Sequence, residues 1–239
     1  VTTNPLIPAL LAISLFWPTA AAQERRLEFR VDPRVELLAA VQSLSTYNER
    51  YGLLTRYDFE YKRAMADHFK AYANHPVVAL FDTMSAQGFS FDAPPTLMLH
   101  LSEPPALAVQ TDIPEALIER AGGAERLVEF LRLLRDFAHE SEFTSFYASQ
   151  APAIAEIVRR TGQLAEGGDY VETLERYYGT RQHSYCIVLA PLFHQGGYGP
   201  KVKWADGSYD VYNITGTKGV VDALPTFGSV ENLRHVALH

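Results

Sequence analysis

The apolar residues of this chain change their spacing once, near His183, and that switch limits the fold more than any single motif. Before it they recur every three to four residues, the period of a helix with one buried face. After it they alternate or run continuously, as they do in strands. A chain that is helical first and sheet-like later is α+β. The spacing predicts helices over about 31–180, then a small antiparallel sheet leading into a last helix over about 183–239.

Several helix signals are local. Asp32-Pro33 supplies a cap and a helix-opening proline ahead of Val35–Leu44. Asp58–Tyr72 carries Phe59, Met65, Phe69 and Tyr72 at helical spacing. His75-Pro76 opens Val77–Ser85, which closes near Gly88, and Pro94-Pro95 leads a short fourth helix. Glu125–Ala138 has the clearest stripe, made of Leu127, Phe130, Leu131, Leu134 and Phe137. Phe143–Arg160 follows with a fresh start at Pro152, and Asp169 caps Tyr170–Tyr178 before Gly179 stops it. These stripes read as core, not as cofactor contacts. Beyond the switch, Ser184–Ala190 reads as a buried strand and Gln195–Pro200 as a Gly-rich link. Lys201–Ala205 and Ser208–Ile214 alternate around Asp206-Gly207, a strong hairpin signal.

The N-terminus carries an apolar run from Leu6 to Trp17, broken by Pro18 and followed by Thr19-Ala20-Ala21-Ala22. That pattern predicts a signal peptide over residues 1–22, cleaved after Ala22, although no Lys or Arg precedes the run. At about 12 residues the run falls short of the ~20 needed to span a bilayer. The mature chain, 23–239, is expected to be one domain, exported to the periplasm or the medium and free of the membrane after cleavage. A net charge of −7 and scattered cations argue against nucleic acid as a partner. Cys186 is the sole cysteine, so no intrachain disulfide is available, and its apolar neighbours predict an inert buried thiol.

Few stretches carry chemistry. Gly196-Gly197-Tyr198-Gly199 leads into a strand, not a helix, so it reads as a turn or a loop beside a cleft instead of a phosphate cradle. The chain has no Gly-x-Ser-x-Gly elbow, Walker sequence or Cys-x-x-Cys pair. His235-Val-Ala-Leu-His239 places two histidines on one helix face, where they can share a zinc ion. Val236 stands where a hydrolytic site would put its general-base Glu. In a second reading, His239 is the first histidine of a His-Glu-x-x-His motif that continues past the given sequence. The final stretch, Val230–His239, is apolar-periodic and lacks a capping Gly or Asn, so it is expected to be cut inside a helix.

Val31–Leu38, Asn74-His-Pro76, and Ile187–Leu192 with Gly196–Gly199 resemble a family of bacterial exported proteins described only as a domain of unknown function. The similarity runs from about Leu27 to His239. In that family the corresponding helix reads His-Glu-Phe-x-His before a Ser-Phe-Val-Asn-Pro-like stretch, and its members are regarded as gluzincin-type zinc metallopeptidases. The resemblance implies a truncated zincin-like metal-binding helix with His239 as a zinc ligand; His235, from the helix spacing alone, is the weaker alternative. It implies a peptide or protein substrate, and a chain inactive as given because the Glu and the other ligands follow residue 239. Tyr198 and Tyr185 are the candidates for substrate binding, and Ser184–Ala190 or one hairpin arm is the candidate for holding peptide by strand addition. The rival reading is an exported, non-catalytic peptide- or glycan-binding protein.

Overall fold

In the computed structural model, which describes residues 27–165 and 170–229, Asp32 caps the first helix as its place before Pro33 requires. Its carboxylate accepts the Arg34 N–H at 3.0 Å, satisfying one of the donors that a helix start leaves free. Helix α1 (Pro33–Leu44) is buried from Val35 through Gln42. The run Leu37-Leu-Ala-Ala-Val41 offers no polar stripe, and a helix that is apolar all round belongs at the centre. Around it pack α2 (Tyr47–Tyr51), α3 (Glu60–Phe69), α4 (Pro76–Ala86) and α5 (Ala93–Leu99). His75 opens α4 by accepting the Val77 N–H on its Nδ1 at 3.2 Å, with Pro76 in the first position.

Helices α6 (Glu115–Arg120), α7 (Ala124–Glu140), α8 (Phe143–Ser149), α9 (Ala151–Leu164) and α10 (Tyr170–Tyr178) complete the helical part among the described residues. All five stripe residues of α7 are buried. Phe130 meets the rings of Phe81 and Phe89, and Phe137 stacks on Phe69 at 5.7 Å. Burying each such ring contributes about 1.5–3 kcal/mol. The break before Pro152 falls at Gln150, between α8 and α9. The leader expected at 1–22, the cap expected at Asp169 and the last helix expected to bear His235 and His239 lie outside the described residues.

The sheet corrects one expectation. It is mixed, not antiparallel. β1 (Glu28–Arg30) lies parallel to β2 (Ser184–Ala190), which lies parallel to β5 (Tyr209–Gly216). β3 (Gly197–Tyr198) and β4 (Lys201–Lys203) run antiparallel along the other edge of β5. The Asp206-Gly207 hairpin joins β4 to β5 as expected, yet a hairpin fixes only its own two strands. β2 is buried at every position from Tyr185 to Ala190, a continuous apolar run of the kind parallel neighbours produce. Both of its edges are paired, so β2 has no edge to offer a peptide. A second hairpin, β6 (Gly219–Val221) and β7 (Leu224–Thr226), follows the sheet.

Alternation along the strands divides the core. Cys186, Val188, Ala190, Tyr212 and Ile214 face the helical body. Ile187 and Leu189 face the other way, against Val31, Ile157 of α9 and Phe227. Tyr185 shares that outer face with Val171 and Leu174 of α10. Two glycines permit the close crossing of the Gly-rich link over β5. A Cβ at Gly216 would fall on the carbonyl oxygens of His194 and Phe193, and one at Gly197 on that of Ile214.

Candidate functional site

The outer face of the sheet is not fully covered. Beside Leu174 of α10 lies a pocket of about 60 Å³, partly open to solvent. Ile187 and Val211 lie beneath it, Leu27 and Leu174 stand at its side, and Tyr185, Lys201 and Asn213 supply its polar groups. Tyr185 is buried there. Lys201 is exposed and forms no ion pair among the described residues.

The inner face carries a polar seam where sheet meets helix. Asp32 is 1% exposed and accepts a two-pronged contact from Arg34, at 2.9 and 2.6 Å, with Arg30 at 3.0 Å. Burial acts to raise the Asp32 carboxyl, but the Arg34 and Arg30 guanidinium groups outweigh it and hold it below its ordinary value. Arg34 also donates to the Leu99 and Leu101 carbonyls, and Arg30 lies over the Tyr212 ring at 5.7 Å. One turn further along α1, Glu36 is wholly buried. Tyr61 Oη donates to its Oε2 at 2.7 Å, while Oε1 has no partner among the described residues. Burial, helped by the nearby Asp32 charge, pushes the Glu36 carboxyl up to about 8 despite the Tyr61 hydrogen bond. Glu36 is therefore a neutral acid at pH 7.

At the start of β2 and β5 the seam reaches the surface. His183 Nδ1 lies 2.7 Å from Asp210 Oδ1, and Ser184 Oγ donates to the same oxygen. Trp204 Nε1 donates to Oδ2 at 2.8 Å, and Tyr212 Oη approaches Oδ2 at 3.4 Å. Burial favours the neutral acid, but the hydrogen bonds from Ser184, His183 and Trp204 win and keep Asp210 ionised. Its carboxylate holds the imidazole with Nδ1 inward, leaving Nε2 on the half-exposed outer side of the ring. An imidazole held in this way is suited to proton transfer or to metal ligation. It is not a serine triad: Ser184 donates to Asp210 instead of to the imidazole.

Tyr198 stands elsewhere. Opposite Ile214 in β3, it shares the inner face, half-buried between Phe193 and His194. Burial and the Asp92 carboxylate push its phenol up to about 12, so it stays a proton donor. His194 is pushed down by burial.

A family model described as a domain of unknown function, DUF4932, matches residues 27–239. The chain belongs to the DUF4932 family. No curated protein and no solved structure matches it.

The DUF4932 fold does not bring the two candidate tyrosines together. Tyr185 pairs with Val211 on the outer face and Tyr198 with Ile214 on the inner, so the two stand on opposite faces of the sheet. Among the described residues no group of three or more His, Cys, Asp or Glu side chains is arranged to hold a metal ion. These residues therefore do not by themselves make a zinc site, and His235 and His239 fall outside them. Cys186 is buried, and burial pushes its thiol up to about 12, which makes it inert. No helix of the described residues is long and apolar enough to cross a membrane. Sequence reasoning missed Glu36, Lys201 and the His183–Asp210 pair. Asp210 had left a signal: it alternates with Tyr212 and Ile214, on the face that alternation buries.

Proposed function

We propose that this DUF4932 domain belongs to an exported zinc-dependent metallopeptidase acting on peptides or proteins, with His239 as a zinc ligand and His235 as the weaker alternative. The observation that carries the reading is the extent of the family match. It includes the His235–His239 stretch, so those histidines belong to the family's domain. It also begins after the apolar leader, in keeping with a mature chain that starts near residue 23. The described residues supply the scaffold of this reading, and no step of a reaction is assigned to them through a metal.

The reading requires Glu immediately after His239 and a second His three residues later. It is tested on the protein made from the complete gene, by elemental analysis and by cleavage of unstructured peptides with and without chelator. About one zinc per chain is expected, with cleavage that stops on chelation, returns with zinc, and is lost together with zinc in His239→Ala. A protein with neither bound zinc nor chelator-sensitive cleavage overturns it. The second reading, a non-catalytic exported peptide- or glycan-binding protein, is favoured by the outer-face pocket, which needs no metal to take a ligand.

A further inference from the structure

Leu27, Leu174, Tyr185 and Val211 of the outer-face pocket pack on one another, but the Lys201 ammonium beside them is explained neither by that packing nor by the zinc reading. Ile187 and Val211 give it an apolar base, with Leu27 and Leu174 beside them. Such a surface takes an aliphatic group. Its polar groups are Tyr185, Asn213 and the ammonium of Lys201. Lys201 has no carboxylate partner among the described residues, in a chain whose net charge is −7. A cation left open beside an apolar hollow complements a ligand that joins an aliphatic group to an anion.

The edge of the sheet supplies a direction of approach. No strand of the described residues pairs with the outer side of β4. Gly199 and Lys201, alternate residues of that edge, both line the pocket. A Cβ at Gly199 would meet nothing within 4 Å, so space stands beside its backbone. An extended chain added to a sheet edge sends alternate side chains to one face, where pockets select them. A hollow of about 60 Å³ has room for one side chain at most, not for a long peptide.

We infer that this pocket is a recognition site for the C-terminal residue of a peptide, its aliphatic side chain over Ile187 and Val211 and its α-carboxylate beside Lys201. The inference deepens the peptide-substrate reading and rests on it only for taking the ligand to be a peptide. It separates the outer face, which binds, from the inner face, which is closed by the polar seam. It also gives Tyr185 a place in ligand recognition that Tyr198, across the sheet, does not share.

The probes are N-acetyl-leucine and N-acetyl-leucinamide, titrated into the full chain in the presence of chelator and followed by calorimetry and by amide shifts of β2 and β5. The acid is expected to bind about fivefold tighter than the amide, the span of an exposed ion pair. Lys201→Gln should remove that preference while leaving the amide's affinity unchanged. Gly199→Leu, where the added side chain has room, should weaken both probes at least tenfold without altering the melting temperature. Equal binding of acid and amide, or a preference that survives Lys201→Gln, overturns the proposal, as does the absence of saturable shifts in Ile187 and Val211. Because chelator is present throughout, binding is read independently of zinc: its failure overturns this site alone, and failure of the separate cleavage test overturns the metallopeptidase reading alone.

Discussion

Replacing Glu36 with Gln isolates the cost of a buried carboxyl. The side chain is wholly buried, has one hydrogen bond, and has its carboxyl raised from an ordinary 4.5 to about 8. Between those values the unfolded chain releases the Glu36 proton while the folded chain keeps it. The folded state then binds more protons, so stability falls as pH rises through this window, and above about 8 the loss is complete. At about 1.36 kcal/mol for each unit of displacement, the full loss is roughly 5 kcal/mol. That is a large share of the ~5–15 kcal/mol that holds a typical domain together.

Gln keeps an oxygen to accept from Tyr61 Oη and cannot ionise. Urea unfolding of both proteins at pH 5, 6, 7 and 8 should give stabilities within about 1 kcal/mol of each other at pH 5. The gap should widen until Glu36→Gln is more stable by about 4–5 kcal/mol at pH 8. The difference is the observable, because burial pulls His100 and His194 down and makes acid destabilising through them. That opposite trend is common to both proteins and cancels. A constant gap across the range, or a Gln variant less stable at pH 8, would refute the reasoning.

Two further substitutions probe the seam and the crossing. Asp210→Asn leaves Ser184, Trp204 and His183 competing for one acceptor and should cost about 1–3 kcal/mol at pH 7. Because the folded Asp210 carboxyl lies below its ordinary 3.8, its contribution is present above that value and lost as pH falls through the folded one. The gap to wild type should therefore close in acid, and nitrogen NMR should show His183 losing its Nδ1–H tautomer in the variant. Gly216→Ala drives a methyl group into the His194 and Phe193 carbonyls and should cost about 1–3 kcal/mol. Calorimetry should show a fall of about 2–4 °C in melting temperature per kcal/mol.

The helices were readable because their signals are local. Asp32-Pro33, His75-Pro76 and the α7 stripe each act within a few residues, and each proved to cap, open or bury what its spacing implied. Glu36 was readable too, in hindsight. Beside Leu37-Leu-Ala-Ala-Val41, a helix without a polar stripe, an acid has no surface to reach. β1 was not, since Glu28-Phe29-Arg30 is too short to show a period and finds its partner, Cys186–Val188, only through the tertiary fold. Of the outer pocket, the sequence points only to Tyr185 as a ligand contact, because Leu27, Lys201 and Leu174 come from three separate stretches.

Strand direction explains why the His183–Asp210 pair escaped notice. In the parallel register, Ser184 lies beside Asp210 and Ala190 beside Gly216. The two strand starts therefore share one end of the sheet, and a carboxylate from one strand meets the imidazole and hydroxyl preceding the other. Had β2 and β5 run antiparallel over the same span, Asp210 would lie beside Ala190, among apolar neighbours and far from His183. A buried carboxylate without donors costs several kcal/mol, so Asp210 at an inward position was itself evidence against that arrangement. The direction of the sheet and the existence of the pair are thus one inference, and the sequence held its premise in the alternation of Asp210, Tyr212 and Ile214.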